Sequence, residues 1–196
     1  VPVAGIEFAE FAADRKEATD LSAMLTTLGF HKAGKHVSKE VELWRQGGIN
    51  IVINTDPRGF AHASYISHGT NVCDIGLKVA DASATVVRAE TLGAKTFEQP
   101  VGPGELKIPA IRALGGSVIH FVDDSKDLSR VWEIEFEQVD QDGATGDAGL
   151  IRIDHLAETM NYDEMLTWLL FYRSIFDTEK TAMVDVIDPA GLVRSQ

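Results

Sequence analysis

The sequence has few of the residues that build covalent cross-links or membrane spans. Cys73 is its one cysteine among 196 residues, so no disulfide can form within the chain and no cysteine-based zinc site is present. A lone thiol fits a reducing compartment, and we expect a cytoplasmic protein. No apolar run approaches the roughly 20 residues that cross a bilayer. The opening "VPVAGIEF" shows no export signal, because it lacks a basic region and an apolar core.

Basic residues are also scarce. Eighteen Lys and Arg stand against thirty Asp and Glu, which gives a net charge of −12. Such a surface repels phosphate backbones and anionic lipids, so we expect neither nucleic acid nor a membrane surface as a partner. Hydrophobic residues make up 44% and charged residues 24% of the chain, as in an ordinary globular protein with one large or two small domains.

Familiar catalytic signatures are missing too. The stretch "GPGEL" has too few glycines, and no following Lys-Ser or Lys-Thr, for a phosphate loop. His62 and His68 are six residues apart and share no helical face, so we interpret both as surface residues. Trp44 and Trp168 are more typical of packing than of a ligand-stacking role.

What the sequence does have is a repeated alternation of strand and helix patterns. Residues 4–13 alternate as a strand, and Asp14 is a good N-cap for the amphipathic helix that follows. Three more strand patterns precede residue 55, and residues 57–70 are expected to form a loop with at most one helical turn. A second series of strand, helix and three strands runs over 72–124, and one short strand is expected within 131–139.

After a Gly- and Asp-rich stretch the pattern restarts. Glu10 precedes the apolar helix position Leu21 by 11 residues, and His155 precedes Leu166 by the same 11 residues. Such a repeat in register is typical of a duplicated unit. We therefore predict a first domain over 1–145 and the incomplete start of a second over 146–196, as if the chain were cut from a longer protein.

The stretch "GLIRIDHLAE" (149–158) raises a specific question. If it is a strand, Ile151, Ile153 and His155 share one face, because side chains alternate with a period of two. An imidazole then stands where a third aliphatic residue is expected. We predict that His155 points into a concave surface beside the two isoleucines.

A series of short motifs indicates a resemblance to a known protein family. "GIEFAEFA", "HVSKEVELWRQGGINIVIN", "HGTNVCDIGLKVAD", "GPGELKIPAIRALGGSVIHFVD" and "IDHL" occur in order. Together they resemble bacterial 4-hydroxyphenylpyruvate dioxygenase, of the vicinal-oxygen-chelate superfamily. The resemblance implies an α+β fold of paired βαβββ modules whose curved sheets enclose a cup, with the second half truncated here.

The resemblance also implies an activity. In that family a non-haem Fe(II), held by two His and one carboxylate, uses O2 and a 2-oxo acid to form homogentisate in tyrosine catabolism. His155 in "IDHL" matches the first iron ligand, while the other two would lie outside this sequence. Other divalent metals also suit such ligands. Arg194, with Ser195 beside it, stands where the family has a small hydroxyl residue that orients substrate. A long cation there would alter substrate recognition.

Three interpretations of the function remain open, and the dioxygenase is the first of them. The chain is also similar to the dioxygenase-like half of fused 3-dehydroshikimate dehydratases, and a metal-free cup that binds a small molecule is a third possibility. Glu10, Asp74 and His120 lie on strands that should line the first cup and are legitimate ligands for Mg²⁺, Mn²⁺ or Fe²⁺. We favour instead a buried Glu10 paired with Arg112 or Arg45.

The proline-rich edge hairpin at 102–117 makes a homo-oligomer plausible.

Overall fold

The computed structural model describes residues 1–139, 147–189 and 191–195. The predicted domain boundary at 145/146 lies outside the described residues. The first module is a βαβββ unit in which Asp14 caps the helix by accepting a hydrogen bond from the Glu17 N–H. Its elements are β1 (Val3–Ala12), α1 (Arg15–Thr27), β2 (His31–His36), β3 (Val41–Gln46) and β4 (Ile49–Asn54).

The second module has the same order of strand and helix, but two strands follow its helix instead of the predicted three, because the first of them is reduced to an isolated bridge at Thr96. After α2 (Gly59–His68), its elements are β5 (Asn71–Val79), α3 (Ala82–Thr91), β6 (Ala110–Arg112) and β7 (Val118–Val122). A short helix α4 (Val131–Ile134) and β8 (Phe136–Gln138) follow. All eight strands form one sheet in the order β6-β7-β5-β1-β4-β3-β2-β8. The modules meet where β1 and β5 pair antiparallel, which confirms the α+β prediction of paired modules.

The helices α1 and α3 cover one face of this sheet. Leu25 of α1 is buried with Phe30, Trp44 and Ile53, and α3 buries Ala82 and Ala89 in a cluster with strands β6 and β7. Because side chains alternate along each strand, the intervening residues point to the opposite, concave face. That face is the cup.

The prediction of a loop over 57–70 was wrong. Residues 59–68 form α2, although no side chain caps its start at Arg58. Its stability comes from packing, since Ala61 is buried with Ala12 and Cys73, and Phe60 and Tyr65 pack against the same cluster. Tertiary burial of this kind overrides weak local helix signals.

Two predicted strand regions are mostly irregular. Over 95–112, Thr96 makes an isolated bridge to Ile111 and regular pairing is confined to β6. The three prolines between them lack an N–H for a ladder. The predicted strand over 131–139 begins instead as α4, because Val131 is buried there and Trp132 packs against the Phe8 and Phe136 cluster.

The stretch 149–158 is not a strand in this structure. The carbonyl of Ile151 accepts a hydrogen bond from the Gly48 N–H, and Gln46 accepts from the Leu150 N–H. These bonds tie the segment to the β3–β4 turn, and Ile153 packs against the cluster beneath α1. With its backbone satisfied in this way, the segment forms no ladder among the described residues, and the inward placement of His155 beside the isoleucines is not observed.

A helix is present around Leu166, the position that the sequence repeat marks as helical. Residues 162–164 form a 3₁₀ turn that leads into α5 (Met165–Ile175). Ile175 and Phe176 are buried in the α3 cluster. An exposed hairpin of β9 (Val184–Asp188) and β10 (Gly191–Ser195) ends the described chain. Among the described residues, no helix has both the length and the apolar character to cross a bilayer.

Candidate functional site: a cup with an acid-imidazole floor

The concave face of the sheet encloses a cup of about 960 Å³. This volume is in the range of small-molecule sites. Phe60, Phe97 and Trp132 are among the aromatic residues of its wall, and the floor is polar. The floor residues come from the central strands, whose alternation turns them toward the cup; they are Glu10, Asn54, Asp74 and His120.

Glu10, Asp74 and His120 meet at the seam between the modules. Glu10 on β1 is the cross-strand partner of Asp74 on β5, so their side chains are neighbours on one face. Nδ1 of His120 lies 2.6 Å from Oδ2 of Asp74, although the ring N–H is not aligned for a hydrogen bond. The Asn54 amide donates to Oε1 of Glu10 at 2.8 Å. The structure thus brings together the three residues singled out in the sequence.

Burial controls how these groups titrate. Loss of hydration, reinforced by the Asp74 charge, raises the pKa of Glu10 to about 7. Burial also raises the pKa of Asp74, against the opposing effect of His120. Burial alone would lower the pKa of His120, but the Asp74 carboxylate raises it. A pKa of about 7 means that Glu10 is partly protonated near neutral pH, and beside it the buried Asp74 and His120 each favour their protonated form more than they would in water.

The prediction that Glu10 pairs with Arg112 or Arg45 was wrong. Arg112 lies over the rings of Phe60 and Phe97, at 4.8 and 4.4 Å from their centroids, and donates to the Gly116 carbonyl. Arg45 donates to Asn50 and lies over Trp132. Glu10 accepts instead from the neutral Asn54 amide, and no arginine of the described residues forms a salt bridge with it.

A second polar group at the cup was not anticipated from the sequence. Glu105 accepts hydrogen bonds from the Gly102 N–H, Ser38 and Lys39. Burial opposes its ionised form, yet these donors lower the pKa of Glu105 to about 2. Ser38 precedes Glu105 by 67 positions in the sequence, and Lys39 precedes it by 66. No local pattern in the sequence could therefore reveal these contacts.

The buried His36–Glu135 pair adds to this end of the cup. Nε2 of His36 lies 3.7 Å from a carboxylate oxygen of Glu135, and the other oxygen of Glu135 accepts from the Leu106 N–H at 2.7 Å. The backbone contact fixes the loop over 102–108 against α4, and so shapes the rim.

The residues predicted for the second half lie apart from the cup floor. The His155 side chain is 80% exposed and contacts Asp154 at 3.0 Å. Arg194 on β10 pairs with Asp185 at 3.1 Å and donates to the Tyr162 hydroxyl at 3.0 Å. Ser195 pairs with Val184 in the hairpin. No hydrogen bond or ion pair between described residues joins His155 to Arg194 or Ser195.

One imidazole does not make an iron site. Within the described ranges, no three His, Cys, Asp or Glu side chains are grouped as metal ligands, and His155 has one carboxylate neighbour, which is exposed. An Fe(II) site of the expected kind needs two His and a carboxylate on one face of the metal. The residues present therefore do not fit the metal on their own, and the role of His155 as a ligand stays a prediction.

Comparison with known proteins now supplies the family. A family model described as hydroxyphenylpyruvate dioxygenase, N-terminal, matches residues 1–137. The chain belongs to this family. The match covers both modules of the eight-stranded sheet, and therefore the whole cup.

The most informative relatives are of two kinds. The chain is 41% identical over 192 residues to a 3-dehydroshikimate dehydratase of Pseudomonas putida, covering 98% of this chain and 30% of that protein. It is 35% identical over 184 residues to a 4-hydroxyphenylpyruvate dioxygenase of Pseudomonas aeruginosa, covering 93% and 51%. A solved fusion of a xylose isomerase-like TIM barrel with a 4-hydroxyphenylpyruvate dioxygenase is 38% identical with a TM-score of 0.80, over 98% of this chain and 30% of that one.

Proposed function

We propose that this chain is the dioxygenase-like part of a 3-dehydroshikimate dehydratase of the fused type. The observation that carries the proposal is the difference in sequence identity to the two kinds of relative. Identity is 41% to a dehydratase of which the chain spans 30%, and 35% to a dioxygenase of which it spans about half. The fused barrel and dioxygenase structure supports the same arrangement. In this proposal the lyase reaction belongs to a separate barrel domain.

A second candidate is a 4-hydroxyphenylpyruvate-type Fe(II) dioxygenase, and it is favoured by His155 in "IDHL". In the intact protein, a second His and a carboxylate would complete the ligand set. Bound Fe(II) would supply the activation of O2 in the presence of a chelating 2-oxo acid. His155 would contribute one imidazole nitrogen to such a set, while Nδ1 lies 3.0 Å from the Asp154 carboxylate.

Arg194 favours the first candidate over the second. Its guanidinium lies over the Tyr162 ring, 5.3 Å from the centroid, and is paired with Asp185. A bulky cation held in this way occupies the position at which the resemblance places a small substrate-orienting hydroxyl. Recognition of hydroxyphenylpyruvate should therefore be impaired, even where iron is bound.

The experiment uses the protein together with the sequence that flanks it in its gene. We expect it to dehydrate 3-dehydroshikimate, and we expect His155→Gln to leave that rate unchanged because the lyase site lies elsewhere. Oxygen uptake with Fe(II) and 4-hydroxyphenylpyruvate should be absent or weak. Rapid uptake that His155→Gln abolishes, without dehydratase activity, would establish the second candidate instead.

A further inference from the structure

We propose that residues 98–108 form a movable flap over the cup, and that Glu105 is the latch that holds this flap closed against the first module. The flap lies between α3 and β6 of the second module. Val101, Leu106 and Ile108 are among its residues that line the cup. Its movement opens the cup to solutes, independently of the function proposed above.

The flap has a fixed base and little packing of its own. At the base the Phe97 N–H donates to the Ala110 carbonyl at 2.9 Å, and both residues are buried. Every residue of 98–108 is exposed or half-buried, and none belongs to a helix or strand. A segment with few buried contacts opens at a lower free-energy cost than the core that carries it. The hinge is therefore the Phe97–Ala110 pair.

Hydrogen bonds within the flap hold it together as one body. The Glu105 N–H donates to the Gly102 carbonyl, and the Glu105 carboxylate accepts from the Gly102 N–H at 2.9 Å, which closes a tight turn. Lys107 donates to Glu98 at 2.7 Å and joins the two ends of the flap. Because these partners all lie within 98–108, opening at the hinge leaves their bonds intact.

Two neighbouring residues attach the flap to the rest of the described protein by hydrogen bonds. Glu105 accepts from Ser38 and from Lys39, whose Nζ lies 3.0 Å from the carboxylate. The Leu106 N–H donates to a carboxylate oxygen of Glu135 at 2.7 Å. Ser38 and Lys39 lie in the β2–β3 turn of the first module. The latch therefore reaches from the second module to the first, and release of Glu105 and Leu106 frees the flap.

The test is hydrogen exchange at the Leu106 amide, followed by NMR in the full chain. This N–H is bonded to Glu135 and not to the residue that is changed, so its exchange reports opening of the flap. We expect Glu105→Gln to speed this exchange by about tenfold or more, because charge-assisted hydrogen bonds are lost. Lys39→Met, on the other side of the same latch, should change the rate in the same direction.

Two control variants separate flap opening from global unfolding. Ile175→Ala removes a buried side chain of the α3 cluster and should leave Leu106 exchange unchanged, because the flap opens while the core stays folded. Glu98→Gln breaks a bond that lies within the flap, and it too should leave the exchange unchanged. No change with Glu105→Gln, or an equal increase with Ile175→Ala, would overturn the proposal.

Entry into the cup is measured with a thiol placed behind the flap. Val52 on β4 is 3% exposed and lines the cup, so Val52→Cys should react with iodoacetamide when the flap opens. Glu105→Gln should speed this alkylation by the same factor as Leu106 exchange. Cys73 is fully buried beneath α2 and should react far more slowly, as an internal reference for unfolding. Alkylation of Val52→Cys that Glu105→Gln leaves unchanged would show that solutes enter elsewhere, and the gating role would be wrong.

Discussion

Glu10 and Asp74 face each other across the ladder that joins the two modules, as directly paired residues of β1 and β5. Two acids at the centre of a sheet are unfavourable for stability when both are ionised. Two neighbours offset this cost: the Asn54 amide donates to Glu10 at 2.8 Å, and Nδ1 of His120 lies 2.6 Å from the Asp74 carboxyl.

The first prediction concerns the pH dependence of stability. The pKa of Glu10 rises from 4.5 to about 7 on folding, so the native state binds more protons than the unfolded state between these values. Stability should therefore fall as pH rises through this window, by about 3 kcal/mol at most. Glu10→Gln should remove the loss and stabilise the chain at pH 8 more than at pH 5.

Urea unfolding at pH 5, 6, 7 and 8 measures this effect. Glu90→Gln serves as the control, because that residue is exposed on α3 and should leave the pH profile unchanged. The opposite trend, in which Glu10→Gln destabilises the chain most at pH 8, would show that the native state favours the charged form.

The second prediction concerns Gly76, which is the cross-strand neighbour of Phe8. A Cβ at this position would lie 2.3 Å from two atoms of the Phe8 ring. Gly76→Ala should therefore displace the ring and destabilise the chain by about 1–3 kcal/mol. Thermal or urea unfolding measures the change, with Gly5→Ala on the same sheet as a control, since nothing lies within 4 Å of that site.

A double-mutant cycle identifies the cause. Phe8→Leu removes part of the ring that the new methyl group would strike, so the cost of Gly76→Ala should be smaller in that background. If the two costs simply add, the steric explanation is wrong.

The third prediction tests how α5 is attached. Ile175 is 1% exposed and belongs to the α3 cluster, and Arg88 donates to the carbonyls of Ser174 and Ile175. Ile175→Ala should destabilise the sheet domain by about 2–4 kcal/mol through the cavity it leaves. Leu170→Ala on the same helix is the matched control, because Leu170 is 57% exposed and should cost little. Equal effects would mean that α5 does not share the core.

The sequence predicts this structure well where an element depends on contacts between residues close together in the chain. The β1 and α1 patterns are local, and the expected strand and N-cap are found. Of the apolar helix face, Leu25 is buried, whereas Met24 and Leu28 stay exposed. The acid and imidazole residues of the floor are also found together, because strand alternation carries each toward one face. The fold class followed from motifs in series, and the family match confirms it.

The predictions that were wrong concern residues whose structure depends on contacts far away in the sequence. α2 is stabilised by residues of β1 and β5 rather than by its own sequence, and Glu10 is bonded to Asn54 from β4 instead of an arginine. The segment around His155 had the alternation of a strand, but alternation alone does not supply a neighbour to pair with. Its backbone is bonded to the β3–β4 turn instead.

The last prediction concerns Glu105, whose behaviour is opposite to that of Glu10. The Gly102 N–H, Ser38 and Lys39 lower its pKa from 4.5 to about 2, so its contribution to stability is complete above pH 4.5 and is lost as pH falls toward 2. Glu105→Gln should destabilise the chain by about 2 kcal/mol at pH 7, somewhat less than the full shift implies because water reaches the loop. The cost should vanish near pH 2. Urea unfolding at pH 7 and pH 3 measures it, and a penalty that stays constant with pH would indicate lost packing instead of lost charge.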